Sequence, residues 1–335
     1  MRLRGVALPF EQPQARVSID GAPVAGLVEL QVDAAGYFAA GRFRAVFALG
    51  AVPGFGAGYF VALTNQNVQI DVAPSGFGYA TLLLGRIDSV RIDWLRNTAT
   101  ISGRDLTGLL IDAEIAQSYV NQTASQIAAT IAGQQQLTPN VTATSALVGQ
   151  YYQLDHAQIS LGVNARVTTA WELLVALALA EGFGVSVTGQ TLNFGPVPDL
   201  TPVFVTPGSF SALAFDLSTA LPGAATVKSW NCKSKSVVSG TQGSGLTATI
   251  VRPNLTAAQA KSLAQEHLHL LGQHQLVLQG TMPADVTLMP GMPLMLAGTG
   301  SALDQTYVVD AVTRRLGEAA GFAQTLRAHA VPQGV

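Results

Sequence analysis

A strand-patterned run, Ala99-Thr-Ile-Ser102, ends in Gly103-Arg104-Asp105 and passes without a linker into the apolar start of a helix, Leu106-Thr-Gly-Leu-Leu110. The hydrophobic period changes there from two to about 3.6 residues within one turn, so a strand-built unit must feed straight into a helical insertion. Upstream, residues 15–104 alternate apolar and polar positions in short runs cut by Gly, Pro, Asn and Asp, the pattern of half-buried antiparallel strands. The runs predict a strand and tight turn over Val17–Val24, then strands over Gly26–Val32, Arg42–Leu49, Asn67–Val72, Tyr79–Asp93 and Ala99–Ser102. Pro53-Gly54, Pro74-Ser75-Gly76 and Arg96-Asn97 supply turn chemistry between them. Five or more such strands imply a small barrel or sandwich.

The middle third is different. Thr123-Ala-Ser-Gln126 has capping-box spacing, the hydroxyl accepting an orphan backbone N–H while the amide reaches back, and it opens the stripe Ile127, Ala128, Ile131. A helix is predicted over 124–133. Thr169-Ala-Trp-Glu172 repeats the device before Leu173, Leu174, Leu177 and Ala178, and Gly182 ends that second helix. Two alternating strands around Gly189-Gln190 then form a hairpin over 184–194. From Pro202 the chain is strand-like again, and Ser239-Gly-Thr-Gln-Gly-Ser-Gly245 reads as a mobile loop. A third box, Thr256-Ala-Ala-Gln259, starts a helix carrying Ala260, Leu263, Ala264, His267, Leu268 and Leu271 on one side. Runs over 275–281, 292–297, 305–313 and 322–328 complete a second small barrel. The expected fold is α+β, mainly β: two small antiparallel β-barrel domains, 1–108 and 206–335, with an α/β insertion at 109–205.

A chain of 335 residues is long enough for two or three domains of roughly 100–150 residues. Charged residues are 11% of the chain, against roughly 25% in ordinary soluble proteins. A surface so poor in charge is tolerable when neighbouring subunits cover it, because interface cores are depleted in Lys, Glu and Asp; a neutral secreted β-protein is the other reading composition allows. The formal net charge of −2 gives no field to concentrate nucleic acid, which argues against sequence-nonspecific DNA binding. Between 106 and 205 there is one base, Arg166, against six acids, so the insertion is acidic. Cys232 is the sole cysteine, which excludes an intrachain disulfide and a multi-thiolate metal site and leaves it a small buried apolar residue. Pro9 and Glu11 interrupt the opening apolar stretch, and the longest apolar run, Leu173–Ala180, falls short of the roughly 20 residues a membrane helix needs. The expectation is a soluble protein made and used without secretion or membrane insertion.

No catalytic, cofactor or metal site emerges. His267 and His269 lie two residues apart on a helix and point to different sides, so with His274 and Glu266 they do not share an ion as an i,i+4 pair would. Asp105, Asp112 and Glu114 are the densest acidic group, but Asp105 fits better as a cap for the turn at Leu106, with Asp112 and Glu114 facing solvent. Gly243-Ser-Gly245 and Gly298-Thr-Gly300 lack nucleophile-elbow spacing. Gly54-Phe-Gly-Ala-Gly58 is followed by no Lys, and no helix N-terminus that would cradle phosphate is expected behind it. Trp94, Trp171 and Trp230 sit in periodic runs as core or interface anchors. Phe55, Tyr59, Phe60, Phe77 and Tyr79 cluster around glycine turns; exposed they form a partner-binding rim, buried they close the barrel end, and subunit contact is the favoured reading.

Nine separated pieces resemble the tail hub proteins of contractile-tailed phages, the late control protein D-like family, in the family's order. They are Val17-Ser-Ile-Asp-Gly21, Leu84-Gly-Arg-Ile-Asp88, Ser102-Gly-Arg-Asp-Leu-Thr107, Asn121–Ala128, Trp171–Gly182 with the hairpin ending Asn193-Phe-Gly195, Val227-Lys-Ser-Trp230, Met289-Pro-Gly291, Thr306–Val312 and Gly321–Leu326. Gly103, Arg104, Asp105, Trp171, Trp230, Pro290 and Gly291 are their signature positions. The resemblance implies a homotrimer whose tube-like barrels, two per chain, form a pseudo-sixfold ring around a channel. That ring would join a hexameric tail tube protein to a trimeric central spike protein in the virion baseplate, touch other baseplate proteins, and be assembled in the host bacterial cytoplasm. It also implies no enzymatic activity and no cofactor. The compact insertion leaves no room for a fused lysozyme or needle domain, so the spike would be a separate protein. A cell-wall-degrading tail enzyme and a carbohydrate-binding β-protein are the competing readings.

Overall fold

The computed structural model describes residues 13–74, 78–115, 119, 121–148, 169–219, 221–231, 235–252, 255–272, 275–317 and 321–331. Phe77, Cys232 and His274 lie outside them. The chain is mainly β. Its first part runs β1 (Gln14–Ile19), β2 (Ala22–Val24), β3 (Leu27–Ala35), β4 (Arg42–Ala48), α1 (Ala57–Val61), β5 (Asn67–Ala73), β6 (Ala80–Asp93) and β7 (Thr98–Asp105). Period-two alternation builds it: Phe43, Ala45 and Phe47 of β4 turn inward while Arg42 and Arg44 face water. With Val68, Ile70, Val72 and Ile101 they form a continuous core closed at one end by Phe60. Against expectation a helix does open within Gly54–Gly58, the five-residue α1 with Gly56 as its N-cap, because Phe60 is drawn into this core.

The middle part runs α2 (Thr107–Asp112), β8 (Gln122–Thr123), α3 (Ala124–Gln134), β9 (Thr138–Val141), β10 (Leu147–Val148), α4 (Ala170–Glu181), β11 (Gly184–Thr188) and β12 (Thr191–Gly195). Both arms of the Thr123 capping box are made, Gln126 N–H to Thr123 Oγ1 at 3.3 Å and Thr123 N–H to Gln126 Oε1 at 3.0 Å. Thr169 Oγ1 likewise accepts the Glu172 N–H at 3.2 Å. Gly182 stops α4 in the left-handed conformation, φ 69°, and Phe183 N–H returns to Ala178 O. Helices α3 and α4 bury Ile127, Ile131, Leu173, Leu174 and Leu177 against Phe194 of the hairpin.

The last part runs β13 (Val203–Val205), β14 (Ala212–Leu217), β15 (Ala224–Asn231), β16 (Ser236–Gly243), β17 (Thr247–Val251), α5 (Ala257–Gly272), β18 (Leu276–Pro283), β19 (Pro293–Leu296), β20 (Thr306–Gly317) and β21 (Gly321–Ala330). Leu278, Leu294, Tyr307, Val312 and Leu326 form its core. Residues 236–243 are a strand of the β16-β15-β17 sheet, not the mobile loop expected over 239–245. Glycine is there because α5 lies on the sheet so closely that a Cβ on Gly240 would stand 2.4 Å from Lys261 N.

The two β parts are not separate in the ladder. Strand β3 pairs antiparallel with β20, Leu30 opposite Leu316 and Asp33 opposite Thr313, giving one sheet in the order β14-β18-β21-β20-β3-β4-β7-β6-β5-β1-β2, with β19 on β20 and β13 on β19. Among the described residues this ladder does not close on itself.

Candidate assembly surface

The Gly103-Arg104-Asp105 junction is a three-way joint. At the β6–β7 crossing the register shifts between Ile87 and Ser89, and the backbones approach so closely that a Cβ on Gly103 would stand 1.9 Å from Arg86 O. Arg104 then grips two carboxylates with its planar fork: Asp88 of β6 at 2.7 and 2.9 Å, and Asp112 of α2 at 3.0 and 2.8 Å. Asp88 and Asp112 raise its pKa well above the ordinary guanidinium value. Asp112 was expected in solvent; although largely exposed, it is tied to the strand by this ion pair. Asp105 Oδ1 accepts the Thr107 N–H at 3.0 Å, the expected cap, and Oδ2 accepts the Gly41 N–H at 2.7 Å, tying the helix start to the β3–β4 loop. Burial pushes the Asp105 pKa up despite these donors.

That loop stitches all three parts together, and nothing in its sequence marked it. Gly36 N–H donates to Asp310 O at 3.2 Å and Phe38 N–H to Val185 O at 3.0 Å. Tyr37 lies between two glycines: a Cβ would stand 2.6 Å from its ring at Gly184 and 3.1 Å at Gly291. Pro290-Gly291 is thus a turn, Gly291 φ 88°, shaped to receive Tyr37 and held by Gly291 N–H to Val309 O at 2.7 Å.

The aromatic group divides. Phe60 is fully buried in the core with Phe47 at 5.2 Å, and Tyr59 bridges it edge-on to Phe55, so these three close the end of the first core. Tyr79 is apart, 44% exposed under the Arg16 guanidinium at 4.6 Å. Trp171 is buried in the insertion, and Trp230 is 52% exposed. Trp94 and Leu95, at the tip of the β6–β7 hairpin, are 74% and 98% exposed. Their turn is anchored, not loose: Arg96 N–H donates to Asp93 Oδ1, and Asn97 exchanges hydrogen bonds with the Leu49 backbone. The tip thus holds two large apolar side chains in water on an anchored turn. Its sequence signal was two large apolar residues directly before the predicted Arg96-Asn97 turn.

The described residues contain no group of three metal-ligating side chains, and none of their helices is long and apolar enough to cross a membrane. His267 is half-buried and His269 exposed on α5.

No protein-family model matches the sequence, and no curated protein matches it. Solved structures do. The 43 kDa tail protein of prophage MuSo2 from Shewanella oneidensis superposes with TM-score 0.74 at 16% identity, covering 94% of this chain and 98% of that one. A tail protein from Neisseria meningitidis gives 0.73 at 14% identity, covering 95% and 96%. The chain has the fold of phage tail proteins. The tail-protein fold also extends to an Escherichia coli component of the type VI secretion system, with TM-score 0.51, 15% identity and coverage of 95% and 77%. That protein is itself described as structurally similar to the T4 tail proteins gp27 and gp5. The family resemblance read from the sequence therefore holds at the level of the fold.

Proposed function

We infer that this chain is a structural tail hub of a phage or phage-like particle: three copies close into a ring with pseudo-sixfold symmetry that joins the tail tube to the central spike and lines a channel. One observation carries this reading. A single chain holds two β parts, each with its own core, fused edge to edge through β3 and β20, in a ladder that among the described residues ends at β14 and β2. Three such chains present six β units, which meets a sixfold tube on one face and a threefold spike on the other without changing the partner surfaces. The β parts are the proposed hub domains 1–108 and 206–335, and the acidic insertion 109–205 faces other baseplate proteins. The role is mechanical, located in the virion baseplate after assembly in the host cytoplasm, and needs neither cofactor nor sequence-specific DNA contact.

Light scattering on the purified chain, alone and with tail tube or spike protein, is expected to give three chains per particle, and negative-stain micrographs a ring. A chain that stays monomeric with both proteins present would refute the hub.

A further inference from the structure

The two β parts repeat one design strand by strand. In each, a long hairpin starts with a strand whose first half pairs outward, β6 with β5 over 80–86 and β20 with β19 over 306–308. In each, that strand then bulges, and the residue skipped by the register is an aspartate, Asp88 between Ile87 and Ser89, Asp310 between Val309 and Ala311. Each aspartate is bonded to a basic side chain on the facing strand, Asp88 to Arg104 at 2.7 Å and Asp310 to His329 at 2.6 Å. Those bases occupy matching places, opposite Arg86 and Val308, two residues before the aspartate. The next strands match as well: Arg42 of β4 lies opposite Arg104 as Val277 of β18 lies opposite His329. One strand further out, Asp33 of β3 lies opposite Arg42 as Asp216 of β14 lies opposite Val277.

The correspondence leaves one pairing unfilled. Strand β3 uses its outer edge to pair with the second half of β20, Asp33 opposite Thr313. Its counterpart β14 ends the sheet, and the second half of β6, counterpart of that half of β20, has no strand on its outer edge among the described residues. We propose that β14 of one copy pairs antiparallel with residues 88–93 of β6 in a second copy, repeating across the chain boundary the β3–β20 pairing made within it.

Superposing Asp88 on Asp310 fixes the register: Thr313 corresponds to Arg91, so Arg91 faces Asp216, Ile92 faces Phe215 and Val90 faces Leu217. The residues fit that register. Arg91 and Asp216 are both exposed and of opposite charge. Ile92 and Phe215 are half-buried against their own cores, so pairing sets one apolar side chain opposite the other at the seam. Leu217 is 64% exposed on an edge strand, Ala212-Leu-Ala-Phe-Asp-Leu217, with no Lys or Pro to guard it. Beside the free edge of β6 lies an open cleft of about 530 Å³ lined by Val61, Leu63, Ile87, Val90 and Ile92, room for the incoming strand's side chains. The two edges differ, so the contact is head-to-tail, and with a threefold rotation it closes as a ring. It rests on the ring proposed above.

Two cysteine pairs test it in a Cys232→Ser background, Arg91→Cys with Asp216→Cys and Val90→Cys with Leu217→Cys. Adjacent positions in an antiparallel ladder alternate between hydrogen-bonded and non-hydrogen-bonded pairs, so one of the two is in disulfide geometry. Within one chain β14 and β6 are separated by six strands, and a disulfide between chains raises the mass on a non-reducing gel whereas one within a chain does not. Mild oxidation is expected to give covalent trimers on a non-reducing gel, and Arg91→Cys with Leu213→Cys, out of register, none. Arg91→Asp should weaken association at least about tenfold, and adding Asp216→Arg should restore it, by sedimentation velocity. Trimers that form with neither disulfide, or that ignore Arg91→Asp, overturn the pairing and leave the hub standing. Monomers at every concentration, with tail tube protein present, overturn both.

Discussion

Two carboxylates, Asp71 buried and Asp105 half-buried, show how residue-scale chemistry tunes this fold in opposite directions. Burial alone would raise the pKa of Asp71, but hydrogen bonds from Gln69, Thr81 and Arg16 outweigh it and hold the carboxyl below the usual range. Its contribution to stability is therefore present above the unfolded carboxylate pKa, roughly 3.9, and is lost as pH falls through the lower folded value. Asp71→Asn should cost about 1–3 kcal/mol near neutral pH, and the difference from wild type should shrink in acid, by urea denaturation across pH. Asp105 has the other sign. Its pKa is raised, so its contribution is fully present below the unfolded pKa and is lost as pH rises through the folded one. Asp105→Asn should accordingly flatten the decline in stability just above that range. Arg104→Lys replaces a planar fork that holds two carboxylates with a single point charge. The strand-to-helix joint should loosen, seen as faster amide exchange over 105–112.

At the scale of elements, the local punctuation written in the sequence is made as expected. All three threonines cap their helices, Thr169 through its Oγ1 arm and Thr256 with both arms, its Oγ1 accepting the Gln259 N–H at 3.3 Å while its own N–H donates to Gln259 Oε1 at 2.9 Å. Gly182→Ala puts a Cβ into a left-handed C-cap and should cost about 1 kcal/mol. Gly103→Ala should cost well above that, because the new methyl must displace the Arg86 carbonyl and reopen the β6–β7 crossing. Leu174→Ala, fully buried between the insertion helices, should cost about 2–5 kcal/mol. Chemical denaturation ranks the three. The glycines at 240, 184 and 291 were visible as letters, but their purpose was not: each receives an element distant in sequence, α5 or the Tyr37 ring.

For the whole molecule, the proposed ring rests on the edge of β14. Leu217→Lys on the exposed edge of β14 should leave the monomer within about 0.5 kcal/mol of wild type while blocking closure of the ring, so that thermal melts stay put and light scattering drops to one chain. The sequence by itself determined most strands of the first β part, the starts and threonine caps of α3, α4 and α5, and where the first β part hands over to the insertion; the short helix α1 and strands β8, β9 and β10 it did not show. Period and capping act within one or two turns of chain, so their residues carry them visibly. Only the tertiary structure decided that β3 joins β20, with Arg315 Nε donating to Gln31 Oε1 across 284 residues of chain, that Tyr37 locks three parts together, and that among the described residues β14 ends the sheet. Ladder hydrogen bonds join backbone to backbone and carry no side-chain signature of their partner. Which strand meets which is therefore settled by how whole layers pack, and no local pattern spells it out.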